Sequence, residues 1–406
     1  MENILLFCAI GLLGFVLSLA CVPFSRRVSG LLRAVDMPVP HKVHDRPMPR
    51  LGGLAIYGGF WLSILILRLV YPEILSGFES KLTGLFLGSS LILCIGVLDD
   101  IFGLGAFLKL VVEVGAAILV VSFGFRVMPE GSLSVFGRVG EVVVLVGSAV
   151  CLIWVTNVFN LADGLDGLAA GIGGIVSLSI LIIGMSLGIT WVGVLSIILF
   201  GVCSGFLVHN FPPARIFMGD SGSLFLGFIF ASVIMGFSGF EGRHGLSMIG
   251  VLMLGVPMID GTSAVLRRFL NKTNIMQGDR DHLHYKLLLR NGSRRKVALT
   301  IYLMTVGFSG LALLIYFKLN GQGPLVALGG TCVAAVLFVK RFRLLELYIS
   351  KHHLLPGRSV SGFLMDESAA AGAGTVAGVR AGTVVGVKTP RARTPKDRQE
   401  ELTPIS

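Results

Sequence analysis

The apolar residues of this chain fall into long runs that short polar stretches separate. Each run is close to twenty residues, and a helix of that length rises about 30 Å, the thickness of a bilayer's hydrocarbon core. The pattern predicts an all-α, polytopic membrane protein with about 11 transmembrane helices, or 10 if one run is tilted or broken. The runs lie near residues 3–24, 51–71, 82–98, 107–124, 142–159, 168–188, 191–208, 223–238, 246–266, 298–317 and 323–340.

Composition supports a membrane location. Of the 406 residues, 54% are hydrophobic and 14% are charged, whereas roughly a quarter of the residues in a soluble domain are charged. We therefore expect one membrane domain at 1–343. From residue 344 the apolar pattern fades into a segment rich in Gly, Ala, Ser, Thr and Pro, which predicts a largely disordered cytoplasmic tail at 344–406.

The distribution of basic residues predicts the orientation. Loop 25–50 carries six Lys or Arg residues and loop 267–297 carries nine, so the positive-inside rule places both loops in the cytoplasm and the N-terminus outside. The net charge of +11 indicates anionic membrane lipids as partners. No basic segment interleaved with aromatic residues is present, so we expect no nucleic-acid partner.

Carboxylates and amides gather in four segments, all at predicted cytoplasmic ends of spans. Acidic residues at membrane depth are costly and usually mark a functional site. Had they served only solvation, both faces should carry them, so their confinement to one face predicts a single shared pocket. The residues concerned are Asp99 and Asp100; Asn157, Asn160, Asp163 and Asp166; Asn210 and Asp220; and Asp279 to His284.

Two of these segments suit a divalent cation. Asp99 and Asp100 end an apolar run, and Asp220 follows a Pro-rich segment; hard oxygen ligands of this kind suit Mg²⁺ together with substrate phosphates. A charged helix end is the alternative for the Asp pair. Membrane prenyltransferases also carry Asp pairs, but they add further acids, which Ile101 to Leu104 do not supply.

The remaining polar groups suit a nucleotide. Gly164 and Gly167 free backbone N–H groups beside Asp163 and Asp166, although a plain polar helix contact is the alternative. Phe217 can stack on a base or pack at the membrane interface. His282 and His284 suit phosphate binding or acid–base chemistry; zinc is disfavoured because no third ligand is in local register.

Four motifs together resemble the polyprenyl-phosphate N-acetylhexosamine-1-phosphate transferases of glycosyltransferase family 4. The resemblance covers about residues 30 to 290. The motifs are Leu98 to Ile101 (LDDI), Asn157 to Ala169 (NVFNLADGLDGLA), Phe217 to Ser223 (FMGDSGS) and Asp279 to His284 (DRDHLH).

The final loop resembles the branch that uses UDP-N-acetylglucosamine to start O-antigen, enterobacterial common antigen or teichoic-acid linkage units. The peptidoglycan branch, which uses UDP-N-acetylmuramoyl-pentapeptide, carries consecutive histidines there instead. Tyr285 and His41 depart from the glucosamine pattern, so another UDP-N-acetylhexosamine remains an alternative donor. The implied acceptor is undecaprenyl phosphate in a bacterial inner membrane, with catalysis on the cytoplasmic face; a homodimer is a further candidate.

The resemblance also implies residue roles. Asp220 and Asp100 would bind Mg²⁺, with Mn²⁺ a candidate substitute. The implied catalytic set is Asp99, Asp100, Asp163, His282 and His284. The implied substrate-binding set is Lys42, Asn157, Asn160, Asp166, Asn210, Phe217 and Arg280.

The expected chemistry is attack by the prenyl-phosphate oxygen on the sugar-bearing phosphorus, with UMP leaving. Mg²⁺ and loop cations would offset the repulsion between the two anions. A covalent intermediate on an aspartate is the alternative mechanism. A polytopic transporter is the rival class, but transporters place polar groups near the bilayer midplane.

Overall fold

The predicted apolar runs coincide with helices in the computed structural model, which describes residues 2–37, 47–129, 131–237, 246–273, 281–318, 323–342 and 344. All of these residues lie in one compact unit, Met1–His353. The predicted tail, apart from Leu344, is outside the described residues. The helices are α1 Glu2–Leu31, α2 Gly53–Val70, α3 Glu79–Phe102, α4 Ala106–Ser122, α5 Gly137–Leu161, α6 Leu168–Ser186, α7 Thr190–Asn210, α8 Gly219–Met235, α9 Leu246–Met253, α10 Gly255–Leu270, α11 Leu283–Asn291, α12 Arg294–Lys318 and α13 Gly323–Phe342.

Seven of the described helices are long and apolar enough to cross a bilayer, and the count becomes eight if the bent pair α9–α10 is one span. Helices α4 and α8 have 17 residues each, which rise about 25 Å. Almost all of α8 is buried, so it faces protein rather than lipid. The chain is therefore an all-α, multi-pass membrane protein.

The ninth run differs from the prediction of one continuous span. Helices α9 and α10 meet at an angle of 81°, and the break falls at Leu254. Pro257 lies in the first turn of α10, where its missing N–H costs nothing, whereas it would remove a hydrogen bond from an unbroken helix. The break brings the polar end of α10 towards the ends of α5 and α12, which α10 contacts.

A short antiparallel pair was also absent from the prediction. Strand β1, Val35–Asp36, pairs with β2, Met48–Pro49. The backbone N–H of Phe217 donates to Pro49 at 2.8 Å, so this pair connects the first polar loop to the segment before α8.

Glycines let α3 pack against the first turn of α8. A Cβ added at Gly96 would lie 2.5 Å from the Cα of Ser221, which is closer than van der Waals contact permits. The two backbones therefore approach as closely as they do only because Gly96 has no side chain. This contact sets the two aspartates that end α3 beside Asp220 at the start of α8.

Candidate active site

A cavity of about 390 Å³ is lined by residues from three of the four polar segments. It contains eight of the residues predicted from the sequence. They are Asn160, Asp163, Asp166, Asn210, Phe217, Asp220, His282 and His284. Asp36, Arg50, Ser223, Arg268 and Tyr285 also line it. Segments more than a hundred residues apart in sequence thus form one pocket, as predicted.

Three of the predicted residues that the structure describes are not on this lining. Asp99, Asp100 and Asn157 lie behind it, and their contacts are described below. Lys42 and Arg280 are outside the described residues. Their predicted roles stay predictions.

Lys109 connects two of the predicted acids. Its Nζ donates to Asp220 Oδ2 at 2.8 Å and to Asp99 Oδ2 at 3.3 Å. All three side chains are partly buried, with 12% to 23% of each exposed, so the ion pairs are shielded from bulk water. The sequence analysis missed Lys109. A lysine within an apolar run is the signal that could have identified it.

Asp100 has different contacts from Asp99, although the two are adjacent. Its fully buried side chain accepts the backbone N–H groups of Asp220 at 3.0 Å and Ser221 at 3.1 Å. Asp100 therefore satisfies the free N–H groups that begin α8 and complements the positive end of that helix. The geometry assigns it a role in fixing Asp220; a role as a metal ligand stays a prediction.

Asp163 lies where the environment disfavours its charged form. Burial, and then the charges of Asp220, Asp100 and Asp166, raise the pKa of this carboxyl to about 8. Nearby, Asn160 Nδ2 donates to Ser223 Oγ at 3.1 Å, which holds the end of α5 against α8. Burial and the neighbouring acids therefore favour the neutral form of Asp163 unless a cation joins the site.

The donor set suits Mg²⁺ in combination with a phosphate-bearing substrate. No group of three or more His, Cys, Asp or Glu side chains in the described part of the chain could hold a metal alone. Mg²⁺, however, usually binds one or two carboxylates plus substrate phosphates and water. Asp220 and Asp163 supply hard oxygens on the lining, and a divalent cation bound there would offset the repulsion between acids that contributes to the raised pKa of Asp163.

Asp166 and Asn210 form the wall beside the predicted uridine position. Asp166 Oδ2 accepts the N–H of Ala214 at 3.2 Å and an N–H of Arg294 at 3.1 Å. Asn210 accepts from Gly167 N and donates to the carbonyl of Ile216, each at 2.9 Å. These bonds hold the two loops together. Sequence reasoning had counted Arg294 only as a basic loop residue.

His282 is held by a buried carboxylate that the sequence analysis also missed. Its Nδ1 lies 3.0 Å from Asp260 Oδ2, and Asp260 Oδ1 accepts the N–H of Leu283 at 2.8 Å. A carboxylate at Nδ1 favours the tautomer with the proton on that nitrogen. The ring therefore offers Nε2 to the cavity. Asp260 lies inside the run predicted as the ninth span, and its place in a helix after the break brings it to the site.

His284 stacks beside this pair. The two imidazole rings are 5.6 Å apart and 7° from parallel. Burial lowers the pKa of His284 to about 4, with the opposing charge of Asp260 a smaller effect. The ring is therefore neutral near pH 7. Its buried Nε2 makes no hydrogen bond within the described residues, which leaves that nitrogen available to a ligand.

The lining also carries a guanidinium group and imidazole rings. Arg268, only 8% exposed, joins His282 and His284 on the lining. Buried guanidinium groups are suited to phosphate oxygens. Asn157 lies behind the lining. Its Nδ2 donates to Glu113 Oε2, and neither residue lines the cavity. The lining therefore offers carboxylates that suit a metal, and Arg268 and two imidazoles that suit the oxygens of a diphosphate.

Comparison with known proteins agrees with this chemistry. Residues 82–238 match the sequence profile described as "Glycosyl transferase family 4". A Bacillus subtilis protein named "Probable undecaprenyl-phosphate N-acetylglucosaminyl 1-phosphate transferase" is 35% identical over 309 residues, which cover 74% of this chain and 84% of the relative.

Two further relatives carry related names. A Mycobacterium leprae decaprenyl-phosphate N-acetylglucosaminephosphotransferase is 32% identical over 76% of this chain and 83% of its own length. A Thermotoga maritima undecaprenyl-phosphate alpha-N-acetylglucosaminyl 1-phosphate transferase is 29% identical over 70% of this chain and 83% of its own length. With identity at this level over most of both chains, the protein belongs to glycosyl transferase family 4.

Proposed function

We propose that this protein transfers N-acetylglucosamine-1-phosphate from UDP-N-acetylglucosamine to undecaprenyl phosphate and releases UMP. The product would start a lipid-linked polymer of the cell envelope. The proposal includes a location in the bacterial inner membrane with the site on the cytoplasmic face, as the basic loops indicate.

The observation that carries the proposal is the cavity itself. Eight predicted residues from three of the four polar segments line one pocket together with Arg268, and Asp99 and Asp100 of the fourth segment lie behind it. The names of the relatives supply the sugar and the lipid. A transporter reading has less support, because the eight predicted residues on the lining lie in loops and at the ends of helices, whereas transporters place their polar groups near the bilayer midplane.

In the proposed reaction, different residues would bind the diphosphate, the uracil ring and Mg²⁺. Arg268 and the Nε2 atoms of His282 and His284 would bind the diphosphate oxygens, and Phe217 would stack on uracil. Asp220 and Asp163 would hold Mg²⁺, which when bound supplies charge neutralisation of the diphosphate. Lys109 fixes the orientation of Asp220 through their 2.8 Å bond.

Attack of the lipid phosphate oxygen on the sugar-bearing phosphorus would form one phosphoanhydride and break another. UMP leaves with the electron pair of the broken bond, so no oxidant or further reactant is needed. Asp99 would be a candidate for the covalent intermediate, but Lys109 holds its carboxylate. We therefore favour direct attack over a covalent aspartyl intermediate.

The test is UMP release by the purified protein with undecaprenyl phosphate and Mg²⁺. UDP-N-acetylglucosamine should support lipid-dependent release, whereas UDP-N-acetylgalactosamine and UDP-N-acetylmuramoyl-pentapeptide should not. The Asp220→Asn variant, with an unchanged elution profile, should be inactive. Release from another donor would change the assigned sugar. No lipid-dependent UMP from any of the three donors, with folded protein, would overturn the reaction.

A further inference from the structure

A second cavity lies between α11 and the end of α13, away from the active-site lining. Its volume is about 310 Å³. Lys286, Leu287, Arg290, Arg341 and Phe342 line it, and none of them lines the first cavity. Three of these five residues are cations, and no carboxylate of the described residues is on the lining. Neither the family resemblance nor the proposed reaction uses this cavity.

The position of the cavity is a membrane boundary. Helix α13 is apolar until its last turn, which holds Lys340 and Arg341. Helix α11 ends just before α12, which begins at Arg294 and continues as an apolar span. The cavity therefore lies where α13 ends and α12 begins. At that level a cation can reach the lipid headgroups while its neighbours in the helix face the acyl chains.

An apolar strip on α13 leads to this cavity. Val333, Val336 and Leu337 are 60%, 53% and 61% exposed. Spacings of three and four residues place them on one face of the helix, and Arg341 follows Leu337 by four. The guanidinium of Arg341 lies 5.8 Å from the centre of the Phe342 ring. The surface thus offers an apolar track for an acyl chain that ends at a cationic, partly aromatic pocket.

The charge of the pocket selects an anion. Arg290 and Arg341 bring two guanidinium groups to one small space, and an anion between them would offset the repulsion of their like charges. In the cytoplasmic leaflet the anion at highest local concentration is the phosphate of an acidic phospholipid, and each nearby Lys or Arg strengthens such binding. Inorganic phosphate has the same chemistry but could not use the apolar strip.

We propose that this cavity binds the phosphate headgroup of an anionic phospholipid, with an acyl chain lying along Val333 and Leu337. Arg290 and Arg341 bind the phosphate. Helix α11 also carries His284 and Tyr285 of the active-site lining on neighbouring positions. A lipid bound on one side of α11 therefore holds these active-site residues in place on the other. The lipid acts as a structural ligand and not as the acceptor substrate.

The experiment uses the full chain, stripped of lipid in a neutral detergent. Thermal unfolding is followed while phosphatidylglycerol, phosphatidylcholine or inorganic phosphate is titrated. The pocket variant is Arg290→Gln/Arg341→Gln. The control variant, Arg27→Gln/Lys296→Gln, removes the same charge from two exposed residues elsewhere. If the double pocket variant does not fold, the single variant Arg290→Gln, at an exposed position, replaces it as the pocket variant.

Phosphatidylglycerol should raise the unfolding temperature of the wild type and the control saturably, and phosphatidylcholine should not. The pocket variant should need at least about tenfold more phosphatidylglycerol for half the effect. An equal response of the pocket and control variants would overturn the site. A response of the wild type to millimolar inorganic phosphate as large as that to the lipid would overturn the lipid as its ligand. These unfolding readouts do not depend on UMP release, so they stand apart from the test of the proposed reaction.

Discussion

Replacing Gly164 with alanine should displace the His284 imidazole. A Cβ at this position would lie 2.2 Å from His284 Nε2 and 2.3 Å from Cε1, whereas carbon and nitrogen atoms in contact are about 3.3 Å apart or more. The ring must therefore move by about 1 Å. It is 3% exposed and stacks on His282 and Tyr285, so no movement leaves all its contacts intact.

A displacement of about 1 Å in an active site can lower turnover about 100-fold, so UMP release by Gly164→Ala should fall by that order. Overpacking should also cost about 1–3 kcal/mol of stability, which thermal unfolding would report. Gly174→Ala is the matched control, because its added Cβ would meet no atom closer than 3.9 Å. That variant should keep wild-type activity.

The double variant Gly164→Ala/His284→Ala tests whether the activity is lost through displacement of the His284 ring or through a change in the backbone at Gly164. If displacement of the ring causes the loss, the double variant should be no worse than His284→Ala alone. Activity of Gly164→Ala within about twofold of the wild type, in folded protein, would refute the role of the His284 position.

Three further outcomes follow from the site. Lys109→Met should lower UMP release about 10- to 100-fold, because a charge-assisted bond that orients Asp220 is worth about 1.5–3 kcal/mol; near-normal turnover of folded protein would contradict this. Asp260→Asn should cost about 10- to 100-fold by changing the tautomer of His282, and adding His282→Gln should cause little further loss. Mg²⁺ binds the ionised form of a carboxylate, and the pKa of Asp163 is raised to about 8. The apparent affinity for Mg²⁺, measured through activity from about pH 6 to pH 9, should therefore rise with pH and level off near pH 8. Asp163→Asn should abolish that slope.

The sequence predicted the helices and the pocket for identifiable reasons. A bilayer leaves backbone N–H and C=O groups without water, so apolar runs of this length have to be helical. Polar residues at the ends of such runs on one face must then lie close together. The predicted end of the first run, near Phe24, was early. Helix α1 continues to Leu31 with Pro23 inside it, because a helix can extend past the bilayer where composition no longer marks it.

Contacts between distant segments could not be predicted in the same way. Lys109 and Asp220 are separated by 111 positions, and nothing near Lys109 in the sequence indicates its partner. Asp260 is similar: its run predicted a straight span, and only the 81° bend brings its carboxylate under His282. The general signal was present in both cases, since an ionisable residue inside an apolar run is a functional candidate by default.

The adjacent acids at the end of α3 show why a motif does not assign roles. Successive residues on a helix point about 100° apart, so the two neighbouring aspartates reach different groups around Asp220. Asp99 points to Lys109 and so belongs to the charge network around Asp220. Asp100 points to the first turn of α8 and binds two backbone N–H groups there. Asp100 holds the backbone of Asp220, and Lys109 holds its side chain. Together these contacts give the Asp220 carboxylate a defined position at the edge of the membrane. The pair is needed because a single aspartate could make only one of these two connections.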